Sequence, residues 1–265
     1  MPKLVTFNFF IGGFHGDSDR VCLENNILYQ DSPMHEDEPR QPFIEGLKLT
    51  DEQIYLFWKR LDELEVWNLD NLEFLGCDTY DIACNWKLAM DTFGETYHFS
   101  SLHETTLYNA FHGNVQCYDT FGNNHRMLLC RRDIDDMREL PENEWDITTA
   151  ALPVYWLFPN VQLMPSKEGL YLLRAYPDPE QPGKHRSLIS FYLRPEISAN
   201  AEMRQVFTMI SQVFGQVIRD EDYAVSASQQ VTANSQTMES VVFGHNEPAL
   251  HHYHSTYRRV LKSAK

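Results

Sequence analysis

The sequence is short of positive charge and of long apolar runs. It carries 22 Lys and Arg against 38 Asp and Glu, a formal net charge of −16 with histidine neutral. Nucleic acids and anionic membrane surfaces repel such a chain, so we expect neither as a partner. No stretch approaches the roughly 20 apolar residues that a membrane-spanning helix needs. The first residues also lack the small-residue cleavage site of a signal peptide.

Cysteine is scarce as well. The five cysteines are an odd number and none forms a C-x-x-C pair: Cys22, Cys77, Cys84, Cys117 and Cys130. A chain of 265 residues buries a sizeable core without disulfides, since roughly three-quarters of the unfolded surface is buried at about 300 residues. We therefore expect reduced, buried thiols and a cytoplasmic location.

Turn signals and hydrophobic periodicity divide the chain into two parts. Residues 1–46 contain many Gly, Pro and acidic residues and predict an irregular N-terminal segment with one or two short strands. Residues 47–265 predict one domain, which opens with a capped amphipathic helix from Thr50 to Val66. A second helix begins at Asn85, whose side chain suits an N-cap.

Most of this domain predicts short strands with close connections, which imply an antiparallel sheet. The predicted strands are Leu72–Ala83, Val115–Thr120, His125–Cys130, Val154–Phe158, Val161–Pro165, Gly169–Tyr176 and Ser187–Arg194. Helices return at Ala199–Val231 and at Glu247–Leu261, the latter with Pro248 in its first turn. Helix, then strands, then long helices predict an α+β fold with helices packed on the sheet.

The most informative segment is Asn85–His103, with the sequence NWKLAMDTFGETYHFSSLH. His98 and His103 stand five residues apart, so in one uninterrupted helix their side chains would point about 140° apart and could not share an ion. Phe99-Ser100-Ser101 continues a helix poorly. We therefore expect a helix end to carry His98 and a following turn to carry His103, which lets both bind one metal.

Two imidazoles and one carboxylate around an ion leave open positions. That ligand set is typical of non-haem Fe(II) sites that activate dioxygen. The same set also suits zinc in a hydrolase. The spacing of the two histidines does not decide between these metals, and it does not by itself establish a metal site.

A longer pattern runs through the same segment: N-W-K, several residues, E/D-N-F-x-E/D-x-Y-H, four residues and H. The matching residues are Asn85, Trp86, Lys87, Phe93, Glu95, Tyr97, His98 and His103. In this pattern the segment resembles the catalytic domain of Rieske-type ring-hydroxylating oxygenase α subunits. Asp91 and Thr92 stand where that family commonly has Glu and Asn.

The resemblance extends over about Thr50–Leu261. Residues 157–160 (LFPN) are similar to a strand motif of the family, and residues 219–222 (RDED) with Gln230 are similar to its E-D-x7-Q helix. The ending resembles G-x-N-E-P-A-L-x-x-F/Y-H-x-x-Y-R through Gly244, Asn246, Glu247, Pro248, Ala249, Leu250, Tyr253, His254, Tyr257 and Arg258.

The resemblance implies a mononuclear Fe(II) bound by His98, His103 and Asp222. Asp220 is the rival third ligand, but the spacing to Gln230 favours Asp222, which lies about two helical turns from that glutamine. Two further acids, Asp91 and Glu95, are candidate catalytic carboxylates, and Tyr97 and Gln230 are candidates for orienting the ligands.

For Glu95 the resemblance implies a specific role. The family carboxylate at that position hydrogen-bonds a ligand histidine and bridges to the Rieske cluster of a neighbouring subunit, so a homo-oligomer, a trimer by resemblance, is expected. The implied fold is a helix-grip domain, in which a curved antiparallel sheet wraps a long C-terminal helix and leaves a cavity between them.

The implied activity is O2-dependent mono- or dioxygenation of an apolar, aromatic small molecule. Candidate wall residues for its cavity are Phe93, Leu102, Leu107, Phe158, Val213 and Phe214. No C-x-H or C-x-x-H pair for a [2Fe–2S] cluster occurs in the sequence. Electrons are therefore expected from a Rieske domain, ferredoxin or reductase outside this chain. Two alternatives remain open: a hydrophobic-ligand carrier of the same fold and a zinc-dependent hydrolase.

Overall fold

The computed structural model describes the strand residues within 5–42, Leu64, and residues 67–235, 237 and 240–263. The chain divides into two compact units, Met1–Asp70 and Asn71–Lys265. The helix predicted from Thr50 to Val66 lies outside the described residues except for Leu64, which is helical. The domain boundary expected at residue 47 stays a prediction.

In the first unit, four short antiparallel strands pair in chain order. They are β1 (Val5–Asn8), β2 (Arg20–Glu24), β3 (Ile27–Asp31) and β4 (Gln41–Pro42). The sequence predicted only one or two strands here, because the many turn formers mask strands as short as these.

The second unit contains a seven-stranded antiparallel sheet with the order β5-β11-β10-β9-β8-β7-β6. Its strands are β5 (Glu73–Ile82), β6 (Phe111–Phe121), β7 (Asn124–Arg131), β8 (Ala151–Leu157), β9 (Val161–Pro165), β10 (Gly169–Pro177) and β11 (His185–Leu193). Each predicted strand is present. The first and last strands of this unit pair with each other, so β5 lies beside β11 rather than beside β6.

The hairpin of β6 and β7 closes through the two-residue loop Gly122-Asn123, between the paired residues Phe121 and Asn124. Gly122 adopts a positive φ of 62°, a conformation that hairpin loops of two residues require and that glycine reaches without steric cost. A tight hairpin therefore joins the two strands that the sequence predicted on either side of it.

The helices of this unit are α1 (Trp86–Asp91), α2 (Asp133–Met137), α3 (Ile147–Ala150), α4 (Pro195–Ser198), α5 (Ala201–Val217), α6 (Tyr223–Asn234) and α7 (Pro248–Ser263). A π turn, Ile218–Asp222, joins α5 to α6. The α+β class with an antiparallel sheet and C-terminal helices is thus confirmed. None of the described helices is long and apolar enough to cross a membrane.

Helix α5 presents a different face to the sheet from the one its apolar residues suggest. Val213 is 57% exposed, as are large parts of Met203, Val206, Met209 and Ile210. The buried side is marked instead by small residues: Ser211 is buried, and a Cβ on Gly215 would lie 2.5 Å from Asp78 of β5. Close approach of helix and sheet, rather than apolar periodicity, sets which face is inside.

Candidate metal centre

The segment that carries both histidines consists of short turns. Asn85 caps α1 by accepting from the Lys87 backbone N–H at 2.9 Å, and α1 ends at Asp91. His98 lies on a separate 3-10 turn, Tyr97–Ser100, and His103 follows it. The expected break between the histidines is present, but the helix ends seven residues before His98. The expectation that a helix end carries His98 is therefore wrong.

Packing and hydrogen bonds fix these turns on the sheet. The Thr96 hydroxyl, on a buried side chain, donates to the Gly113 carbonyl of β6 at 3.2 Å. The ring of Phe99 lies edge-on to the rings of both His98 and His103, at centroid distances of 4.9 and 5.3 Å. The two imidazoles are thereby held on one side of the same aromatic ring.

The third residue comes from the π turn. Asp222 is its last residue, and its side chain is only 5% exposed. π turns are rare and occur frequently at functional sites. The rival residue Asp220 instead pairs with Arg219 on the surface, at 2.6 Å. Of the two acids, only Asp222 reaches the histidines.

The three side chains converge. Asp222 Oδ1 lies 3.3 Å from His103 Nε2 and 3.7 Å from His98 Nε2, and one ligand atom from each residue lies within 4.8 Å of the other two. His98 Nε2 is buried and has no hydrogen-bond partner. A buried nitrogen lone pair without a partner costs free energy unless something binds it. Two imidazole nitrogens and a carboxylate oxygen fit iron, with positions left open for other ligands.

Each histidine is held at its other nitrogen by a glutamate. Glu95 accepts from His98 Nδ1 and, at 3.2 Å, from the His98 backbone N–H. Glu221 Oε2 lies 2.5 Å from His103 Nδ1. A carboxylate behind a ligating histidine fixes its tautomer and its ring orientation. The sequence predicted this contact for Glu95 but missed Glu221, whose one signal was its place next to Asp222 in the RDED motif.

His103 is almost fully buried, at 1% exposure. Burial lowers the pKa of this imidazole, but hydrogen bonds and charges from Asp222 and Glu221 outweigh burial and raise the pKa above its usual value. The surroundings therefore favour positive charge beside the ring, and a divalent cation at Nε2 would supply that charge.

Three residues predicted near the metal have other partners. Asp91 accepts from His254 Nε2 at 2.9 Å and so joins α1 to α7. The Tyr97 hydroxyl donates to Glu247 at 2.8 Å, and Gln230 accepts from the Asn85 backbone N–H at 2.8 Å. None of them hydrogen-bonds the three candidate ligands. In the structure each of them joins separate segments, and their expected roles at the metal stay predictions.

A cavity of about 60 Å³ adjoins the three candidate ligands, between the sheet and the end of α5. Its apolar lining is Phe93, Phe99, Leu107, Phe111, Met127, Leu129, Leu152, Val154, Met164, Phe214 and Ile218. Three expected wall residues, Phe93, Leu107 and Phe214, are in this set. Leu102, Phe158 and Val213 are not: the ring of Phe158 packs on Trp156 and Tyr257, and Val213 faces outward.

A larger pocket of about 630 Å³ lies elsewhere, lined by Val115, Met137 and Trp145 among others. It uses His112 and Cys130, whereas the smaller cavity uses their neighbours Phe111 and Leu129. Successive side chains of a strand point to opposite faces, so the two pockets lie on opposite faces of the sheet. The smaller one is the candidate site because the three metal-binding side chains line it.

An antiparallel sheet with C-terminal helices carries two histidines and one carboxylate whose ligand atoms could hold a metal ion. These features define a class of protein, α+β domains with a candidate mononuclear metal site. The pattern of the family described as ring hydroxylating alpha subunit (catalytic domain) matches residues 69–263. The chain belongs to this family, and its members are oxidoreductases. Comparison with curated proteins found no match.

Solved structures have the same fold. The quaternary ammonium Rieske monooxygenase CntA, in complex with an inhibitor, aligns with a TM-score of 0.64 and 13% identity, over 97% of this chain and 84% of that chain. Dicamba monooxygenase bound to dicamba aligns with a TM-score of 0.52 and 13% identity, over 94% of this chain and 71% of that chain. At this identity the likeness concerns the fold.

Proposed function

We propose that this protein hydroxylates a small apolar molecule with O2 at one Fe(II) bound by His98, His103 and Asp222. The observation that carries the proposal is the buried His98 Nε2, which has no hydrogen-bond partner and faces the Asp222 carboxylate and the second imidazole. Iron bound there would supply the binding and activation of dioxygen.

The chain's own residues would orient the ligands and exclude water. Glu95 and Glu221 accept from the Nδ1 atoms, which leaves each Nε2 available to the metal. The apolar wall keeps water from the site, which strengthens the electrostatic interactions within it and limits side reactions. Of the carboxylates nearby, Glu95 and Asp222 line the cavity together with the two histidines.

The lining favours a neutral, apolar and aromatic substrate. Among the described residues, and apart from the candidate ligands, only Glu95, Thr92 and Thr96 contribute polar side chains to the lining, which includes no described Lys or Arg. A substrate carboxylate would have no cation to pair with and would face Glu95 and Asp222. The small volume points to a small substrate, since usual ligand pockets hold roughly 300–1,000 Å³. The flexible side chains of Met127 and Met164 can adapt to a larger one.

Electrons would come from a cluster outside this chain. None of its five cysteines begins the C-x-H or C-x-x-H pair that a Rieske cluster needs. The structure of a quaternary ammonium Rieske monooxygenase with the same fold is described as giving insights into inter-subunit electron transfer, and we extend that arrangement to this protein. The donor would approach near Tyr97, which is half exposed and adjacent to His98. A homo-oligomer, and a cytoplasmic location that suits a chain with reduced cysteines, belong to the same proposal.

The test is the metal content of protein purified anaerobically. We expect about one iron per chain, lost in His98→Ala and retained in the matched control His112→Ala, whose ring pairs with Asp135 outside the site. Apo protein reloaded with Fe(II) and given a Rieske-type donor should oxidise aromatic hydrocarbons, whereas Zn(II) should not restore activity. Hydrolysis restored by Zn(II) would favour the hydrolase, and ligand binding without stoichiometric iron would favour the carrier.

A further inference from the structure

Two consecutive residues of the π turn contact His103 at its two ring nitrogens. Glu221 Oε2 lies 2.5 Å from Nδ1, and Asp222 Oδ1 lies 3.3 Å from Nε2. The ring is almost fully buried, so no water competes for either nitrogen. Of the two carboxylates, only Asp222 belongs to the proposed metal ligands, so Glu221 can act on the metal position only through the His103 ring.

We propose that Glu221 is the positioning residue for His103, and that it does so by selecting the tautomer with hydrogen on Nδ1. The inference rests on the proposed function, because it concerns a ligand of that metal. A carboxylate oxygen only accepts, so the short contact requires a proton on Nδ1. The Nε2 lone pair of the neutral ring is then directed at the metal position.

Without Glu221, the ring would prefer the other tautomer. Its proton would lie on Nε2, from which it can donate to Asp222 Oδ1 at 3.3 Å. That hydrogen bond would occupy one ligand atom on each of two metal-binding residues. Metal would have to break it before binding, so Glu221 keeps the neutral ring from forming this hydrogen bond.

The glutamate is itself held in place. The Thr106 hydroxyl donates to the same Glu221 oxygen at 3.0 Å, and the Thr106 backbone N–H donates to the His103 carbonyl at 3.0 Å. One turn, from His103 to Thr106, therefore contains both the imidazole and the hydroxyl that holds Glu221 in place. His98 has the same kind of partner in Glu95, so each imidazole is backed by one carboxylate.

The test is Co(II) affinity, measured by titrating the metal-free full chain and following the visible absorption of the bound ion. Loss of a carboxylate behind a metal-bound histidine typically costs about 10–100-fold in affinity, and we expect that loss for Glu221→Ala. Glu221→Gln should recover most of the affinity, because its amide oxygen still accepts from Nδ1. Thr106→Val should weaken binding less than Glu221→Ala does.

A spectroscopic readout separates positioning from general damage. Proton NMR of the Co(II) protein should show two strongly shifted, solvent-exchangeable signals, one for each histidine Nδ1–H. In Glu221→Ala one of the two should broaden or exchange faster, while in Glu221→Gln both should remain. Thermal unfolding of each variant checks that the fold is retained.

The matched control is Asp220→Asn, which removes a neighbouring carboxylate that pairs with Arg219 on the surface. It should bind Co(II) like the wild type. Wild-type affinity in both Glu221 variants, with both exchangeable signals unchanged, would overturn the role of Glu221 and leave the metal site standing. Failure of the wild type to bind about one Co(II) or Fe(II) would overturn the metal site and this inference together.

Discussion

Two pairs of histidine rings lie in contact among the residues that the structure describes, and only one of these pairs is surrounded by carboxylates. The pair formed by His98 and His103 faces Asp222 and is backed by two glutamates. The other pair joins β7 to α7: His125 Nδ1 lies 3.2 Å from His252 Nδ1, and the His125 ring stacks on Trp156 at 4.8 Å. Among the described residues, no carboxylate hydrogen-bonds either ring of this second pair.

The difference appears in the direction of the pKa shifts. Burial and the neighbouring His252 lower the pKa of His125 to about 3, whereas Asp222 and Glu221 outweigh burial and raise the pKa of His103. Buried imidazoles alone remain neutral and pack like aromatic rings. Carboxylates around them turn the same side chains into a site that favours a cation. The predictions below test this contrast, from the largest expected effect to the smallest.

The largest effect is expected from Asp222→Ala, which removes the one carboxylate shared by the first pair. Iron affinity should fall by more than the roughly 10–100-fold typical for residues behind the ligands, and iron per chain after dialysis should approach zero. Asp220→Ala should retain iron. Stoichiometric iron in Asp222→Ala would show that the pair of histidines binds metal without this carboxylate.

Next is Glu95→Gln, which keeps an acceptor for His98 Nδ1 but removes the charge. We expect iron to be retained and donor-dependent turnover to fall about 10–100-fold, because the carboxylate orients His98. The comparison is Glu104→Gln, an exposed glutamate one residue after His103. Equal turnover in the two variants would contradict a role for the charge of Glu95.

The contact between Asp91 and His254 tests whether one carboxylate beside one histidine is enough to bind metal. Asp91 and His254 form a partly buried carboxylate–imidazole pair without a second histidine, and burial raises the pKa of Asp91 although His254 opposes the shift. Asp91→Ala should lower the free energy of unfolding by about 1–3 kcal/mol, measured by urea denaturation. Iron content should not change; loss of iron with the fold intact would place Asp91 in the metal site after all.

The smallest effect concerns acid stability through the second pair over the narrow range from pH 5 to pH 7. The folded-state pKa of His125 lies near 3, below the usual value near 6.5, so between these values the unfolded chain binds more protons. Stability from this group is fully present above pH 6.5 and is lost as pH falls toward 3, with a slope of up to about 1.4 kcal/mol per pH unit.

Urea denaturation of the wild type and His125→Phe between pH 5 and 7 measures that slope. The phenylalanine keeps a ring against Trp156 and removes the titrating nitrogen. The unfolding free energy of the variant should therefore change less with pH, by up to about 1.4 kcal/mol per pH unit, which corresponds to one proton. Two neighbouring groups also face the pair: Arg259 lowers the pKa of His252, and the Gly122 carbonyl raises it. His112→Gln is the control. Parallel pH curves for His125→Phe and the wild type would contradict the assignment.

Much of the sheet and of the site was predictable because the signals are local. Strands such as Val161–Pro165 were predicted with the bounds observed, since alternation and turn residues act over a few positions. The break between His98 and His103 followed from their spacing together with the poor helix formers between them, Phe99-Ser100-Ser101. The third ligand required a motif more than one hundred residues away, and it was predicted through the family resemblance rather than from periodicity.

The predictions that failed were those that depend on which way a side chain points in the folded protein. Val213 and Phe214 are neighbours on one apolar helix, yet only Phe214 lines the cavity. Gly215 and Ser211, which carry little hydrophobic signal, mark the side that faces the sheet. Likewise Asp91 and Glu95 stand four residues apart, but a turn separates them and only Glu95 contacts a ligand histidine.

The sequence by itself determined the α+β class, the strand positions and the candidate ligands His98, His103 and Asp222. Propensity, spacing and motifs are properties of residues close together in sequence, so they can be read without the fold. Only the tertiary structure decided that Glu221 contacts His103 across 118 positions, that a π turn presents Asp222, and which apolar residues face the cavity. These depend on how distant segments pack, and packing selects among faces that the sequence leaves equivalent.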